Sequence, residues 1–358
     1  MPSALEIAQG RNAPLTQGLF YTVNTRHPLF SAFDFRTSVD TKFKSLSLIS
    51  LPSSKFADLN EGFAPGFARF ALREFSCSLI GGQVSIERIT REAWDRSHPG
   101  LDYESIQTEA KIMADILHVE KQLIKGTSND AKGFPGAKDM TPFITGNTFT
   151  MADAPDDYDF KRTVLDAEGT TSSTASSVYS FVFGEMECQG VIGNDQTGAG
   201  ELFHVGPTVT EFLAPDASKP TERLEHDTFQ MEGYIGLSVS GFNLQEDDQT
   251  VPTQYSVRRM ANVTKDSGKT LNDAKMEKLA ISHGTGYTPS LFAMSARSGD
   301  QLAGSRQATA IHYSLGGGGD ARNNSGSVQP RRPDNWEGIP IVYPQPGVIG
   351  NTDAIESV

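Results

Sequence analysis

From Asp102 to Lys125 the sequence holds a helical period. Ile106, Ala110, Met113, Leu117 and Ile124 recur at steps of three or four (seven for the last), with Ile112, Ile116, Val119 and Leu123 forming a second row beside them. Two adjoining rows make a broad apolar face, so this helix is expected to pack on more than one side. Glu104, Gln107, Lys111, Asp115 and Lys121 fall on the opposite face. Asp102 is placed to cap the N-terminus and Gly126 to stop the C-terminus, which gives about 24 residues or roughly 36 Å of helix.

On either side of this element the period changes. Residues 41–51 alternate weakly, Leu46 and Leu48 against Ser45 and Ser47, and residues 70–80 alternate again, with Phe75, Cys77 and Leu79 against Ser76 and Ser78. The turn-rich stretch from Pro52 to Phe67 joins them into a long two-stranded excursion, an arrangement that is marginal alone and needs a partner surface. Gln83 to Ile89 continues as strand. The first 30 residues carry a short helical signal at Ala4 to Gln9 and then scattered apolar anchors (Leu15, Leu19, Phe20, Leu29 and Phe30), which reads as an arm. Residues 140–257 are rich in Thr, Ser, Gly and aromatic residues, with strand-like runs at Val178–Phe183, Leu202–Val205, Val209–Leu213 and Tyr234–Val239. Short helices are expected over Asn272–Leu279 and Ser290–Arg306, and a strand over Trp336–Tyr343. Two polar stretches, Glu168–Ser177 and Gly316–Ser327, are expected to be mobile loops. The resulting class is α+β, mixed and mostly antiparallel.

Composition narrows the function. At 358 residues and 37% hydrophobic content the chain can bury more than one core, and a net charge of −13 argues against sequence-nonspecific binding to nucleic acid. Cys77 and Cys188 are expected to be reduced thiols. The N-terminus lacks the basic and apolar regions of a signal peptide, and no run of about 18 apolar residues occurs. Neither secretion by that route nor a membrane span is expected.

Catalytic motifs fail at specific positions. Val263–Thr270 ends in Gly-Lys-Thr but has Val263 where a phosphate loop needs its first glycine. Gly198-Ala-Gly200 lacks the third glycine of a dinucleotide fingerprint, and Gly236-Leu-Ser-Val-Ser240 ends in serine where a nucleophile elbow needs glycine. The seven histidines are scattered, and the two cysteines offer no zinc pattern. Asp153, Asp156, Asp157 and Asp159 lack the order of a calcium loop. His118 with Glu120 and Asp115 is explained by a helix face of mixed charge. No catalytic residue, cofactor or metal is expected.

One electrostatic feature remains. Arg36 to Glu74 holds six cations and four anions, a net of +2 in an acidic chain. A projecting cationic hairpin beside acidic surface suits head-to-tail contact between identical subunits, and such contacts can close into rings. The residues expected at that contact are Lys42, Lys44, Lys55, Arg69 and Arg73, with Asn60 and Glu61 in the connection.

In order along the chain, Leu19-Phe20 with His27-Pro-Leu-Phe30, then Leu51-Pro52, Phe56 and Asn60-Glu61-Gly62, then Leu79-Ile-Gly-Gly-Gln-Val84 resemble the front half of the tailed-bacteriophage major capsid proteins. Lys125-Gly-Thr-Ser-Asn-Asp130 with Gly133-Phe-Pro-Gly136 is similar to the turn after that family's long helix. Tyr234-Ile-Gly-Leu237, Arg259-Met-Ala-Asn-Val263, Pro289–Met294 and Glu337–Ile341 with Thr352-Asp353 resemble its C-terminal half. The resemblance implies an HK97-type capsid fold: an N-arm at 1–35, an E-loop at 36–80, and a P-domain at 81–140 with its spine helix at 102–125. An A-domain with return strands of the P-domain would follow at 256–358. Residues 141–255 exceed what a minimal fold of this type requires and are expected as a β-rich insertion within the P- and A-domain region.

The function so implied is a major capsid protein, assembled in the host cytoplasm and located in the virion. It would form hexamers and pentamers of an icosahedral head enclosing double-stranded DNA without specific binding. The implied partners are further copies of the chain, a separate scaffolding protein, a portal and a cementing protein on the outer face. An encapsulin-like nanocompartment shell shares the fold and is one alternative; a hydrolase or carbohydrate-binding β-domain protein is another.

Overall fold

In a computed structural model, residues 27–52, 54–57, 62, 65–98, 102–141, 164–185, 187–193, 202–213, 224–239, 241–242, 254–283, 288–314 and 332–356 are described. The first elements are α1 (Pro28–Ala32), β1 (Phe35–Thr37), β2 (Lys42–Ser50), β3 (Arg69–Ser76), β4 (Ser78–Glu87), α2 (Arg88–Ser97) and the long α3 (Tyr103–Lys125). A short α4 (Ala137–Met140) is followed by β5 (Val164–Asp166), β6 (Ser176–Phe181), β7 (Gln189–Gly193), β8 (His204–Val205), β9 (Val209–Leu213) and β10 (Leu224–Ser238). Then come the small ribbon of β11 (Gly241–Phe242) and β12 (Gln254–Tyr255), β13 (Val257–Val263), α5 (Asp273–Ile281), β14 (Leu291–Met294), α6 (Ala296–Ser314), β15 (Asn335–Trp336) and β16 (Ile339–Val342).

The long helix starts and stops where its caps dictate. The Asp102 carboxylate accepts from the Glu104 N–H at 3.2 Å, and Gly126 ends the helix at a φ of +57°. A Cβ on Gly126 would lie 2.0 Å from Asp139 Oδ2 and 2.2 Å from the Gly136 nitrogen, so the turn into α4 closes only around glycine. Asp139 also accepts from the Thr127 and Gly136 N–H groups, tying the helix end to α4. Of the two apolar rows, Ile112, Ile116, Val119 and Leu123 are buried, whereas Ile106 remains 37% exposed.

Two six-stranded sheets flank this helix. In the first, β10 pairs antiparallel with β4 over ten residues and with β7, β8 and β9, while β1 adds parallel to β7. The second runs in the order β15-β16-β14-β6-β13-β5 and mixes parallel with antiparallel pairs. Val119, Leu123 and Ile124 share a core with Ile235 and Leu237 of the first sheet and with Phe181, Leu291 and Ala293 of the second. The C-terminal half of α3 therefore sits where the sheets meet. Each such side chain contributes about 1.5–3 kcal/mol by leaving water. A second core, with Met260, Phe292, Leu302 and Trp336, lies under α5 and α6.

The described residues of 141–255, expected as an insertion, are β-rich and are woven into both sheets. β6 lies between β14 and β13, and β10 pairs with β4 from before the long helix. Strand runs were readable there, but in these three pairings the partners lie 76 to 157 positions away, which periodicity does not report. The run at Ser290–Arg306 also differs from expectation: Leu291–Met294 is a fully buried strand, and the helix starts at Ala296. A short continuous apolar run fits either state, and here the sheet decides. In the stretch expected as a loop at Glu168–Ser177, Thr170 and Thr171 are pinned by Asp266, and Ser176 begins β6. Gly316–Ser327 lies outside the described residues. The two cysteines are free; burial pushes the Cys77 thiol up to about 11 and that of Cys188 well above its ordinary value.

Candidate assembly surface

The hairpin of β2 and β3 is anchored in the main core at its root. At its root Phe43 and Phe75 face each other in register and are buried in the main core. Beyond the root four described apolar residues are bare: Phe70 is 55% exposed, Leu72 60%, Phe67 82%, and Phe56 fully exposed. Of eleven large hydrophobic side chains exposed among the described residues, six lie between Val39 and Leu79. Scattered single exposures are normal, but a concentration on one projecting element marks a surface that another molecule covers.

Charge follows the same element. Strand alternation puts Phe70, Leu72 and Glu74 on one face, and the register Lys44↔Glu74 and Lys42↔Ser76 places both lysines there too. Lys42 Nζ lies 2.6 Å and Lys44 Nζ 4.0 Å from Glu74, so two cations share one anion and the face stays cationic. The Lys42 hydrogen bond holds the Glu74 carboxyl below its usual range. Lys55 and Arg69 are exposed. The structure thus brings Lys42 and Lys44 together and places Arg69 in β3. Arg73 pairs with Ser45 by backbone register, its side chain lying outside the described residues, as do Asn60 and Glu61.

The arm is fixed by a contact the sequence did not announce. Glu120, expected on a mixed-charge face, is wholly buried; its carboxylate accepts from the Phe30 N–H at 3.0 Å and lies 3.3 Å from Nδ1 of the buried His27. Burial pushes the Glu120 carboxyl above its ordinary range, against the pull of those two partners. Asp115, expected on the face opposite the apolar rows, is buried beside Lys111. Helical spacing did not show which neighbours close over either residue. The helix α2 was likewise not anticipated: none of its residues is buried, and Arg88 and Arg91 hold it to Glu225 and Asp227 of β10.

The rejected motifs fall as follows. The Val263–Thr270 turn is filled by its own groups: Asp266 accepts from Thr264 and from Thr170 and Thr171, bonds that hold its carboxyl well below the usual range. An anion in that position would repel a phosphate. Gly236 is mid-strand in β10. Gly198–Gly200 and Asp153–Asp159 lie outside the described residues. Among the described residues no group of three or more metal-ligating side chains occurs, and no helix is long and apolar enough to cross a membrane.

No protein-family model matches the chain, and none of the curated proteins does. Among solved structures it is similar to a chain of bacteriophage Epsilon15, at 12% identity over 91% of this chain and 88% of that one, with a TM-score of 0.45. It is also similar to a chain of the bacteriophage JBD30 capsid (10%, 74% and 77%, 0.37) and to one of the JBD30 procapsid (10%, 93% and 98%, 0.36). Among the described residues the two-stranded hairpin, β4, α2 and the long helix follow one another along the chain, and the first sheet combines β1 and β4 from before that helix with strands from after it.

Proposed function

We propose that the chain is the major capsid protein of a tailed bacteriophage, a structural subunit whose activity is to tile a shell with copies of itself. The observation that supports this best is the hairpin, on which Phe56, Phe67, Phe70 and Leu72 are each more than half exposed while the root is built into the core. A monomer gains nothing from such an element; a lattice does, because each copy covers its neighbour's exposed surface. Obligate interfaces of this kind bury on the order of 2,000 Å² or more.

In this reading the hairpin is the E-loop and lies across an adjacent subunit, and the arm that enters at His27 crosses beneath. The long helix is the spine of the P-domain, and the second sheet with α5 and α6 belongs to the A-domain, which meets its copies at the capsomer centre. Six or five subunits form each capsomer, and the shell encloses double-stranded DNA that its acidic surface does not bind. A separate scaffolding protein and a portal complete assembly, and a cementing protein has room on the outer face.

Sedimentation velocity on the purified chain over a range of concentrations tests the first step. Species of five or six subunits are expected to accumulate as concentration rises. A single monomeric boundary at every concentration, with and without a scaffolding partner, would remove the reading.

A further inference from the structure

The short helix at the root of the arm is capped from a distance. α1 opens on Pro28, which has no N–H, and its N-cap residue His27 makes no side-chain cap, so the Leu29 and Phe30 N–H groups must find an acceptor elsewhere. Glu120 of α3, 90 positions along the chain, supplies it: Oε1 accepts from the Phe30 N–H at 3.0 Å, the Leu29 N–H bonds the same carboxylate, and Oε2 lies 3.3 Å from His27 Nδ1. His27 is 4% exposed and Glu120 not at all. The surroundings are apolar. On α3, Ile116, Leu117, Leu123 and Ile124 stand one turn to either side of Glu120. α1 carries Pro28-Leu-Phe-Ser-Ala32, and β16, which packs against it, carries Ile339-Pro-Ile-Val342; neither brings a titratable side chain. Among the described residues His27 is therefore the charged partner that acts on Glu120.

We infer that this pair is a proton-operated latch: α1 stays seated on α3 while Glu120 and His27 hold a proton between them, and it unseats when that proton is withdrawn. The latch belongs to the single chain and does not depend on assembly. With a proton shared, the buried site is neutral or a closed ion pair; without it, a bare carboxylate stays buried against two N–H groups, which is costly. Burial raises the Glu120 carboxyl, and a carboxyl raised in the folded state contributes stability that is lost as pH rises. Once α1 has opened, an exposed imidazole gives up its proton above about pH 6.5. Closing then takes up a proton and weakens by up to about tenfold per pH unit.

Amide hydrogen exchange read by mass spectrometry on the full chain tests this, with protection corrected for the intrinsic rate at each pH. Protection over residues 27–33 is expected to fall by about tenfold or more between pH 7 and pH 8.5, while residues 110–125 of α3 keep theirs. Glu120→Gln retains an oxygen for the Phe30 N–H but has no proton to lose, so its protection over 27–33 should stay level across the same interval. The latch is overturned if wild type stays level, if the glutamine variant falls as steeply, or if α3 loses protection by the same factor, which would be global unfolding. Should the glutamine variant fail to fold, the His27 ring signal of wild type labelled with ¹³C-histidine is read instead. It must move over that interval; a signal that stays in place overturns the latch.

Discussion

Glu356→Ala is expected to destabilise the unassembled chain by about 3 kcal/mol, because it leaves a buried guanidinium without its anion. Arg259 is fully buried in β13, and both of its terminal nitrogens donate to the Glu356 carboxylate, Nη1 at 2.7 Å. Lys138 adds a second cation at 3.3 Å. Asn262, held at a φ of +58° where β13 shifts register, clamps the same segment: its Oδ1 accepts from the Glu356 N–H and its Nδ2 donates to the Glu356 carbonyl, both at 2.9 Å. Asparagine tolerates that backbone region better than a branched residue would. The C-terminal segment is thereby strapped across the second sheet.

The same pair fixes a pH dependence. Burial alone would raise the Glu356 carboxyl, but the hydrogen bonds and charge of Arg259 and Lys138 outweigh it and hold the group below its ordinary value. A carboxyl depressed in the folded state contributes stability above its unfolded value, and that contribution is lost as pH falls through the depressed one. Urea midpoints of wild type should therefore drop between about pH 5 and pH 3 by more than those of Glu356→Ala. Parallel curves for the two proteins would show that the strap adds no pH-linked stability.

Replacing residues 46–72 by a short Gly-Ser turn is expected to abolish assembly and leave the fold of the single chain within about 1 kcal/mol of wild type. The reason is the division along the hairpin. Phe43 and Phe75, which the replacement retains, are buried, whereas Phe56, Phe67, Phe70 and Leu72 are each more than half exposed, so their removal takes little from the chain's own core. A loop exchange at an exposed tip costs little folding energy. Urea unfolding with sedimentation reads both halves of the expectation. A shortened chain that still forms capsomers would show that the hairpin is not the assembling element.

The sequence made the long helix legible down to its caps, since Asp102, Gly126 and the apolar rows are local signals. The hairpin was also legible, as alternation on both sides of a turn-rich stretch, and its lysines were found because they depart from the charge of the rest. The sheets were not. β10 pairs with β4 and β13 with β6 across long separations, and alternation identifies a strand without naming its neighbour. Glu120 and Asp115 were misjudged for a related reason: a charged residue on a helix reads as solvated until the arm or an adjacent strand closes over it. Glu87 and Glu211 escaped notice as neighbours because they come from β4 and β9 and meet only across His226 of β10.

Negative-stain electron microscopy of the chain expressed with its scaffolding partner tests the central claim most directly. Closed shells, or six-fold rings on the way to them, are the expected result. A uniform field of 38.8 kDa monomers under conditions where the chain is folded would contradict it.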